Sequence, residues 1–301
     1  MSAASPERPP KVTVTVMVTG ELVSNVRVGA YHRLTFRAPE VAEVAQPGQF
    51  VALAVGGDTS ANLLRRCFSI HKVDPAGEGS GTVDIVVAAR GAGTRWLTSL
   101  TTHDDVNVIG PLGRPFPLPD QPVAAVLVGG GYGSAPLFWL ASLLKERGCH
   151  VELVLGAATE ERLFGVIEAH EAADGVTVTT DDGSTGVKGW VSDVLPTVIR
   201  RSHAGVVYGC GPMAMLRSIT EVATAEGATA QVAVEESMAC GVGVCMTCVM
   251  PVTGDDGLTR MVRSCVEGPT FRGDQVRWDA FENGRCRVPE DAWGASAMGG
   301  H

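Results

Sequence analysis

Basic residues are in short supply. The chain carries 24 Lys and Arg against 33 Asp and Glu, a net charge of −9, and lacks the cationic stripe that contact with a phosphate backbone requires. Nucleic acid is not an expected partner. The opening MSAASPERPPK has no apolar core of a signal peptide, so export is not indicated and a cytoplasmic setting is expected. In a reducing compartment, clustered thiols among the eight cysteines favour metal over disulfide. An unbroken hydrophobic span is missing too. Gln121 to Leu144 is uncharged over 24 residues, about what a bilayer needs. Gly129, Gly130, Gly131, Gly133 and Pro136 would break a lipid-facing helix at its centre, and a strand, tight turn and helix fit better. None of the seven histidines stands at a recognisable spacing from a Ser or Cys and an acid, so no nucleophilic triad is expected.

What is present is enough apolar material, 45% of 301 residues, for two domains with their own cores. From Lys11 to about Ile109 the runs KVTVTVMV, RLTF, QFVALAV and TVDIVVAA alternate or are β-branched, and Gly, Pro and Asp bound them. They predict a small barrel or sandwich. GPLGRPFPLPDQP, residues 110–122, holds five prolines and has the texture of a connection between domains. Beyond it AAVLVGG, SAPLFWLASLLKERG, VELVLGA and GVVYGCGPMAMLRSITEVATAEG alternate strand and helix, which predicts a parallel sheet with helices on its faces. From Glu235 the pattern turns to Cys, Gly and short loops, a third module expected to need a metal or disulfide staple. Arg287 to His301 is expected to be a mobile tail.

The sharpest signal is Cys240, Cys245, Cys248 and Cys265. This C-x4-C-x2-C run, with a fourth Cys further on, is the plant-type [2Fe–2S] spacing. Gly241 and Gly243 would let backbone N–H groups approach bridging sulfides. A structural zinc site would normally show two C-x2-C pairs, and only one is found. Cys67, Cys149, Cys210 and Cys286 stand alone.

A second signal is VLVGGGYGSAPLFWL, where Gly130, Gly131 and Gly133 open a helix after a strand. Such a turn brings N–H groups and a helix N-terminus to a diphosphate. Tyr208-Gly209-Cys210-Gly211-Pro212 repeats the device at another strand end of the same sheet. Together the two turns predict a nucleotide crevice. A third signal is Arg65-Arg66-Cys67-Phe68-Ser69 followed by Gly91-Ala92-Gly93-Thr94. The first segment can offer a guanidinium to a phosphate and a ring to a flat cofactor. The second can offer N–H groups and a hydroxyl at a short helix start.

The order RRCFS, GAGT, GPLGRPF, GGGYGSAP, YGCGP and ESMACGVGVC-MTC resembles the ferredoxin-NADP reductase superfamily over nearly the whole chain. More narrowly, it is similar to the electron-transfer subunits of class 1B dihydroorotate dehydrogenases. The resemblance implies an FAD-binding β-barrel over residues 10–112, an α/β parallel-sheet NAD-binding domain over 120–234 and a small C-terminal [2Fe–2S] domain over 235–286. It also implies that Arg66, Cys67, Phe68 and Ser69 contact the flavin and its phosphates. Val86, Val87 and Ala88 would line the flavin through their backbone, and Gly93 and Thr94 would hold its pyrophosphate. Two positions depart from the family: Cys67, where Pro is usual, and Phe68, where Tyr, Ile or Leu is common. GAATEE after the strand lacks the basic residue that NADP-preferring relatives often keep, which favours NADH; Arg162 pulls the other way.

The implied chemistry is consistent with the residues. A hydride donor gives two electrons and an iron–sulfur cluster accepts one at a time, so a flavin must stand between them. The resemblance implies an FMN-containing dihydroorotate dehydrogenase catalytic subunit as partner in pyrimidine biosynthesis, assembled as a heterotetramer. The alternatives are the same module serving a hydrogenase, a sulfide dehydrogenase or ferredoxin, and a non-catalytic, zinc-stapled nucleotide-binding module.

Overall fold

The computed structural model describes residues 14–57, 60–75, 81–282 and 285–293. Its first unit is a closed six-stranded antiparallel barrel in the order β1-β2-β5-β4-β3-β6. The strands are β1 (Val16–Val28), β2 (Tyr31–Arg37), β3 (Phe50–Leu53), β4 (Arg66–Asp74), β5 (Thr82–Val87) and β6 (Asp105–Leu112). Closure leaves no free edge, and it settles the open choice between barrel and sandwich. Alternation decides what enters: Val83, Ile85 and Val87 of β5 point into the barrel core with Leu22, Leu34 and Ile70, as period 2 requires. Two short helices complete the unit, α1 (Pro39–Ala42) and α2 (Ala92–Ser99).

The predicted strand-turn-helix is β7 (Ala124–Gly130), a 3-10 turn over Gly131–Ser134, and α3 (Ala135–Glu146). Pro136 falls in the first turn of α3, where its missing N–H costs nothing. No helix among the described residues is long and apolar enough to cross a membrane. The chain continues through β8 (His150–Ala157), α4 (Val166–Ala172), β9 (Gly175–Thr180), β10 (Val187–Lys188), α5 (Val191–Ser202), β11 (Val206–Cys210), α6 (Met213–Ala225) and β12 (Thr229–Ala233). β7 is buried on both faces: Leu127 joins the core under α3, while Val126 and Val128 join the core under α5 and α6. The near-continuous apolar reading AAVLVGG therefore marks a central parallel strand.

After β13 (Val249–Thr253) and β14 (Thr259–Arg263), β15 (Thr270–Arg272) adds itself antiparallel to β12. The sheet order is β10-β9-β8-β7-β11-β12-β15. The C-terminal segment is thus no separate layer held by a staple alone. Met250, Val252 and Phe271 complete the core beside α6, and Cys248 and Cys265 pack with Phe50, Ala52 and Leu112 of the barrel. The proline-rich segment is also more than a connection. β6 continues through Leu112, Phe116 is buried, and its N–H donates to Pro47 O at 2.8 Å. The Tyr208 hydroxyl donates to Pro117 O at 2.8 Å, and that of Thr270 to Pro115 O at 2.8 Å. Of the expected mobile tail, residues 287–293 are tied down: Arg287 N–H donates to Ala280 O, Trp293 N–H to Thr259 O, and Ala292 is buried. The remainder, 294–301, lies outside the described residues.

Barrel and sheet meet through buried groups. His71 of β4 is 1% exposed, and its Nδ1 lies 2.7 Å from Ala135 O at the start of α3. The Tyr31 hydroxyl of β2 donates to Arg162 O at 2.8 Å. These contacts set the barrel beside the carboxyl edge of the sheet, where the strand order reverses around β7 and a ligand crevice is expected.

Candidate functional site: two joined cavities and a cysteine loop

A cavity of about 460 Å3 runs between barrel and sheet. Arg66, Cys67, Phe68 and Ser69 of β4 line it, as do Val86, Ala88 and Thr94. Gly133 and Cys210 close it from the sheet side. The Val87 side chain alternates into the barrel core, which leaves only its backbone to face this groove. The arginine pair is divided by its surroundings. Arg65 is tied inward to Ala52 O and Asn107 O at 3.2 and 3.1 Å, which leaves Arg66 at the groove. A Cβ added to Gly93 would lie 3.1 Å from Arg66 Nε. The helix start of GAGT and the RRCFS guanidinium therefore face one small space, a cradle that a side chain on Gly93 would fill. The Thr94 hydroxyl shapes this turn, accepting from the N–H of Arg90 and Gly91 at 3.0 and 2.9 Å. With no acidic residue in the first turn of α2, the cradle suits a phosphate.

A second cavity, about 530 Å3, lies along the carboxyl ends of β7, β8 and β9. Gly130, Gly131 and Pro212 line it. Gly211 stands behind them at φ +154°, where a Cβ would meet Met215 Cε at 2.7 Å. A Cβ on Gly133 would lie 2.8 Å from both Cys210 O and Gly211 Cα. The two glycine turns are thus in backbone contact, which is why both lack side chains there.

The cavities share Arg90, Tyr132 and Glu235. The Tyr132 ring is held between the Arg90 guanidinium, 5.3 Å from its centroid, and Tyr31, with ring centroids 5.5 Å apart. Burial pushes the Glu235 carboxyl above the usual carboxylate range, and Arg90 partly opposes it. Burial likewise raises the Cys210 thiol, which stays neutral in the groove. Sequence reading passed over all three junction residues, although Tyr132 lies inside GGGYG and Arg90 immediately precedes GAGT. It also passed over Asp181 and Trp190, at the far end of the second cavity.

The cysteine loop caps the barrel end of the first cavity. Gly241 and Gly243 adopt φ of +73° and +81°, and a Cβ on Gly241 would lie 3.0 Å from Cys67 Sγ. Cys67, which lines the groove, therefore also touches the residue after Cys240. The four thiols fall into two pairs. Cys245 N–H donates to Cys240 Sγ at 3.5 Å, and hydrogen bonds from Thr247 and Cys240 hold the Cys245 thiol down at about 6. Cys265 is pushed up to about 12 by burial and by its hydrogen bond with Cys248. Among the described residues no three Cys, His, Asp or Glu side chains converge as a single metal ion would require. Two thiol pairs under a left-handed glycine loop fit a two-iron cluster, which takes four thiolates. Around the loop, Val242, Val244 and Met246 are 41, 79 and 56% exposed.

Comparison with known proteins accords with this arrangement. Residues 235–277 match the iron-sulfur cluster binding domain of dihydroorotate dehydrogenase B. The chain is 40% identical over 248 residues to the dihydroorotate dehydrogenase B (NAD(+)) electron transfer subunit of Geobacillus thermodenitrificans, covering 81% of this chain and 92% of the relative. It is 34% identical over 246 residues to that of Desulforamulus reducens, covering 82% and 92%. Among solved structures it is similar to a chain of the NADH-dependent reduced ferredoxin-NADP oxidoreductase, studied for flavin-based electron bifurcation. That likeness has a TM-score of 0.75 and 32% identity, covering 86% of this chain and 90% of the other. A Neisseria gonorrhoeae ferredoxin NADP+ reductase with bound FAD and NADP shares the fold, with a TM-score of 0.56 and 14% identity over 70% of this chain and 92% of that one. On the strength of these relatives, the chain belongs to the family of dihydroorotate dehydrogenase B (NAD(+)) electron transfer subunits.

Proposed function

We propose that this chain takes electrons from NADH and delivers them, through FAD and a [2Fe–2S] cluster, to the FMN of a dihydroorotate dehydrogenase catalytic subunit with which it assembles. The observation that carries this reading is continuity. The dinucleotide cavity and the barrel groove adjoin along Arg90, Tyr132 and Glu235, which line both, and the groove reaches Cys67 against Gly241 of the cysteine loop. When bound, FAD would supply the exchange between a two-electron hydride donor and a one-electron acceptor.

The chain's own residues position and insulate. Arg66 and the N-terminus of α2 would hold the flavin phosphates, while Val86, Ala88 and Phe68 would give its ring an apolar wall. Gly130, Gly131 and the paired turn at Gly211 and Pro212 would let a diphosphate approach the backbone. Cys240, Cys245, Cys248 and Cys265 would ligate the cluster. Val242, Val244 and Met246 leave an apolar rim around that loop, suited to covering by a partner. No side chain need act as nucleophile. The domain limits that follow are a barrel to about residue 112, a sheet unit from about 120 and a cysteine module from 235.

A second reading keeps the module and changes the acceptor, and the 32% identity to a bifurcating NADH-dependent oxidoreductase chain favours it over the remaining alternatives. Anaerobic titration with NADH, with and without a co-expressed dihydroorotate dehydrogenase catalytic subunit, separates the two. Bleaching of flavin and cluster with orotate reduced only in the presence of the partner supports the first reading. Bleaching without orotate reduction at any partner concentration supports the second.

A further inference from the structure

The dinucleotide cavity has two unlike ends. One adjoins the flavin groove along Arg90, Tyr132 and Glu235, so it must take the nicotinamide if the proposed function holds. The other lies beyond Gly156 of β8, where Asp181 and Trp190 line it. Trp190 is 65% exposed, a large ring left open on a cavity wall rather than used in the core. Its backbone is fixed: the Asp193 carboxylate accepts its N–H at 2.8 Å at the start of α5. Asp181 follows the last residue of β9, and its own N–H donates to Ala157 O at 3.1 Å. Its neighbour Asp182 is consumed in a turn, accepting from the N–H and hydroxyl of Ser184 at 2.9 and 2.7 Å. Asp181 instead lines the cavity, and no side-chain partner for its carboxylate is seen among the described residues.

Arg162, the cation that argued for a 2′-phosphate on sequence grounds, lines the same cavity, on the side of the glycine turn. Its carbonyl accepts the Tyr31 hydroxyl and would lie 3.7 Å from a Cβ on Gly131, so its backbone belongs to the glycine turn and not to the Asp181 end. Its charge is felt at the Tyr31 hydroxyl, so the guanidinium too stands on the glycine-turn side, where it would serve a diphosphate.

We infer that Asp181 and Trp190 form the adenosine end of the cavity. Trp190 stacks on the base. The Asp181 carboxylate accepts hydrogen bonds from an unsubstituted ribose diol and repels a 2′-phosphate, so it sets the preference for NADH over NADPH. A carboxylate beside a phosphate is penalised by charge repulsion and by loss of the diol hydrogen bonds together. The inference rests on the dinucleotide reading of this cavity.

The test is anaerobic stopped-flow reduction of the FAD-loaded full chain by NADH and by NADPH, with ADP-ribose binding as a separate readout. Wild type is expected to prefer NADH. Asp181→Asn and Asp181→Ser should each narrow the NADH-to-NADPH ratio of kcat/KM by about tenfold or more, a change of about 1.4 kcal/mol in discrimination. Trp190→Ala should weaken NADH, NADPH and ADP-ribose alike by about tenfold, since the stacking of the base on the ring is lost, and Trp190→Phe should recover most of it. An unchanged ratio in both Asp181 variants, or a wild type that prefers NADPH, overturns the inference and leaves the reductase reading standing. If neither nucleotide reduces the wild-type flavin, the dinucleotide reading itself fails, and the inference with it.

Discussion

The cysteine loop and the dinucleotide cavity are built on opposite plans. The three closely spaced cysteines lie within Cys240–Cys248, on one stretch of backbone whose glycines take left-handed φ. The cavity is assembled from β2, the ends of β7, β8 and β9, and the starts of α5 and α6. A ligand set on a short segment is governed by local geometry and leaves a spacing that can be read. A cavity lined by segments more than a hundred residues apart leaves no spacing at all. Substitutions in the first should abolish one function cleanly, while those in the second should act by degrees.

The largest effect expected is that of Cys245→Ser. It should remove the iron–sulfur absorbance and lower partner-coupled orotate reduction by roughly 100-fold or more, while flavin reduction by NADH stays within about twofold, since on the proposed reading a thiolate ligand is lost and nothing in the dinucleotide cavity moves. Partner-coupled turnover at the wild-type rate would show that electrons leave by another route. Next is Arg66→Ala, which removes a charge-assisted phosphate contact worth about 1.5–3 kcal/mol. FAD affinity should fall about 10- to 100-fold, read as flavin content after purification and by titration. Unchanged affinity would place the flavin phosphates away from the Gly93 cradle.

Gly133→Ala tests whether the assembled cavity depends on backbone contact. Its Cβ would lie 2.8 Å from Cys210 O, and overpacking of this kind costs about 1–3 kcal/mol. Tm should drop and the NADH KM should rise, with cysteine-loop spectra intact. The smallest effect belongs to Glu235→Gln. Burial raises the folded-state pKa of Glu235, so the stability from its protonated form is present at low pH and lost as pH rises through that raised value. The variant stays neutral throughout. Its Tm should exceed that of wild type near neutral pH, and the gap should close as pH falls into the ordinary carboxylate range. A constant gap across pH would show that Glu235 is not desolvated at the junction.

How much could be read in advance followed the same division. RRCFS and GAGT were read as two segments able to hold a phosphate, yet only the structure brings them to one groove and separates Arg65, tied to Asn107, from Arg66. Val86, Val87 and Ala88 were read as one backbone wall, and only the barrel shows that the Val87 side chain turns inward between them. Tyr132 was visible inside its motif and carried no sign that Tyr31 and Arg90 would hold its ring. Asp181, at the end of β9, could not be matched to the glycine turn after β7 before the order of β7, β8 and β9 was known.

By itself the sequence determined the elements whose causes are local. These are β-branched alternation in the barrel strands, an apolar central strand, glycine turns before helices, and a thiol spacing that suits two irons. Tertiary structure alone decided which of these meet. The sixth strand closes the barrel, β15 joins the C-terminal segment to the parallel sheet, and the proline-rich stretch is packed between them. The physical reason is that side-chain periodicity states which face of an element is buried, whereas the partner that buries it is fixed by packing between segments far apart in the chain.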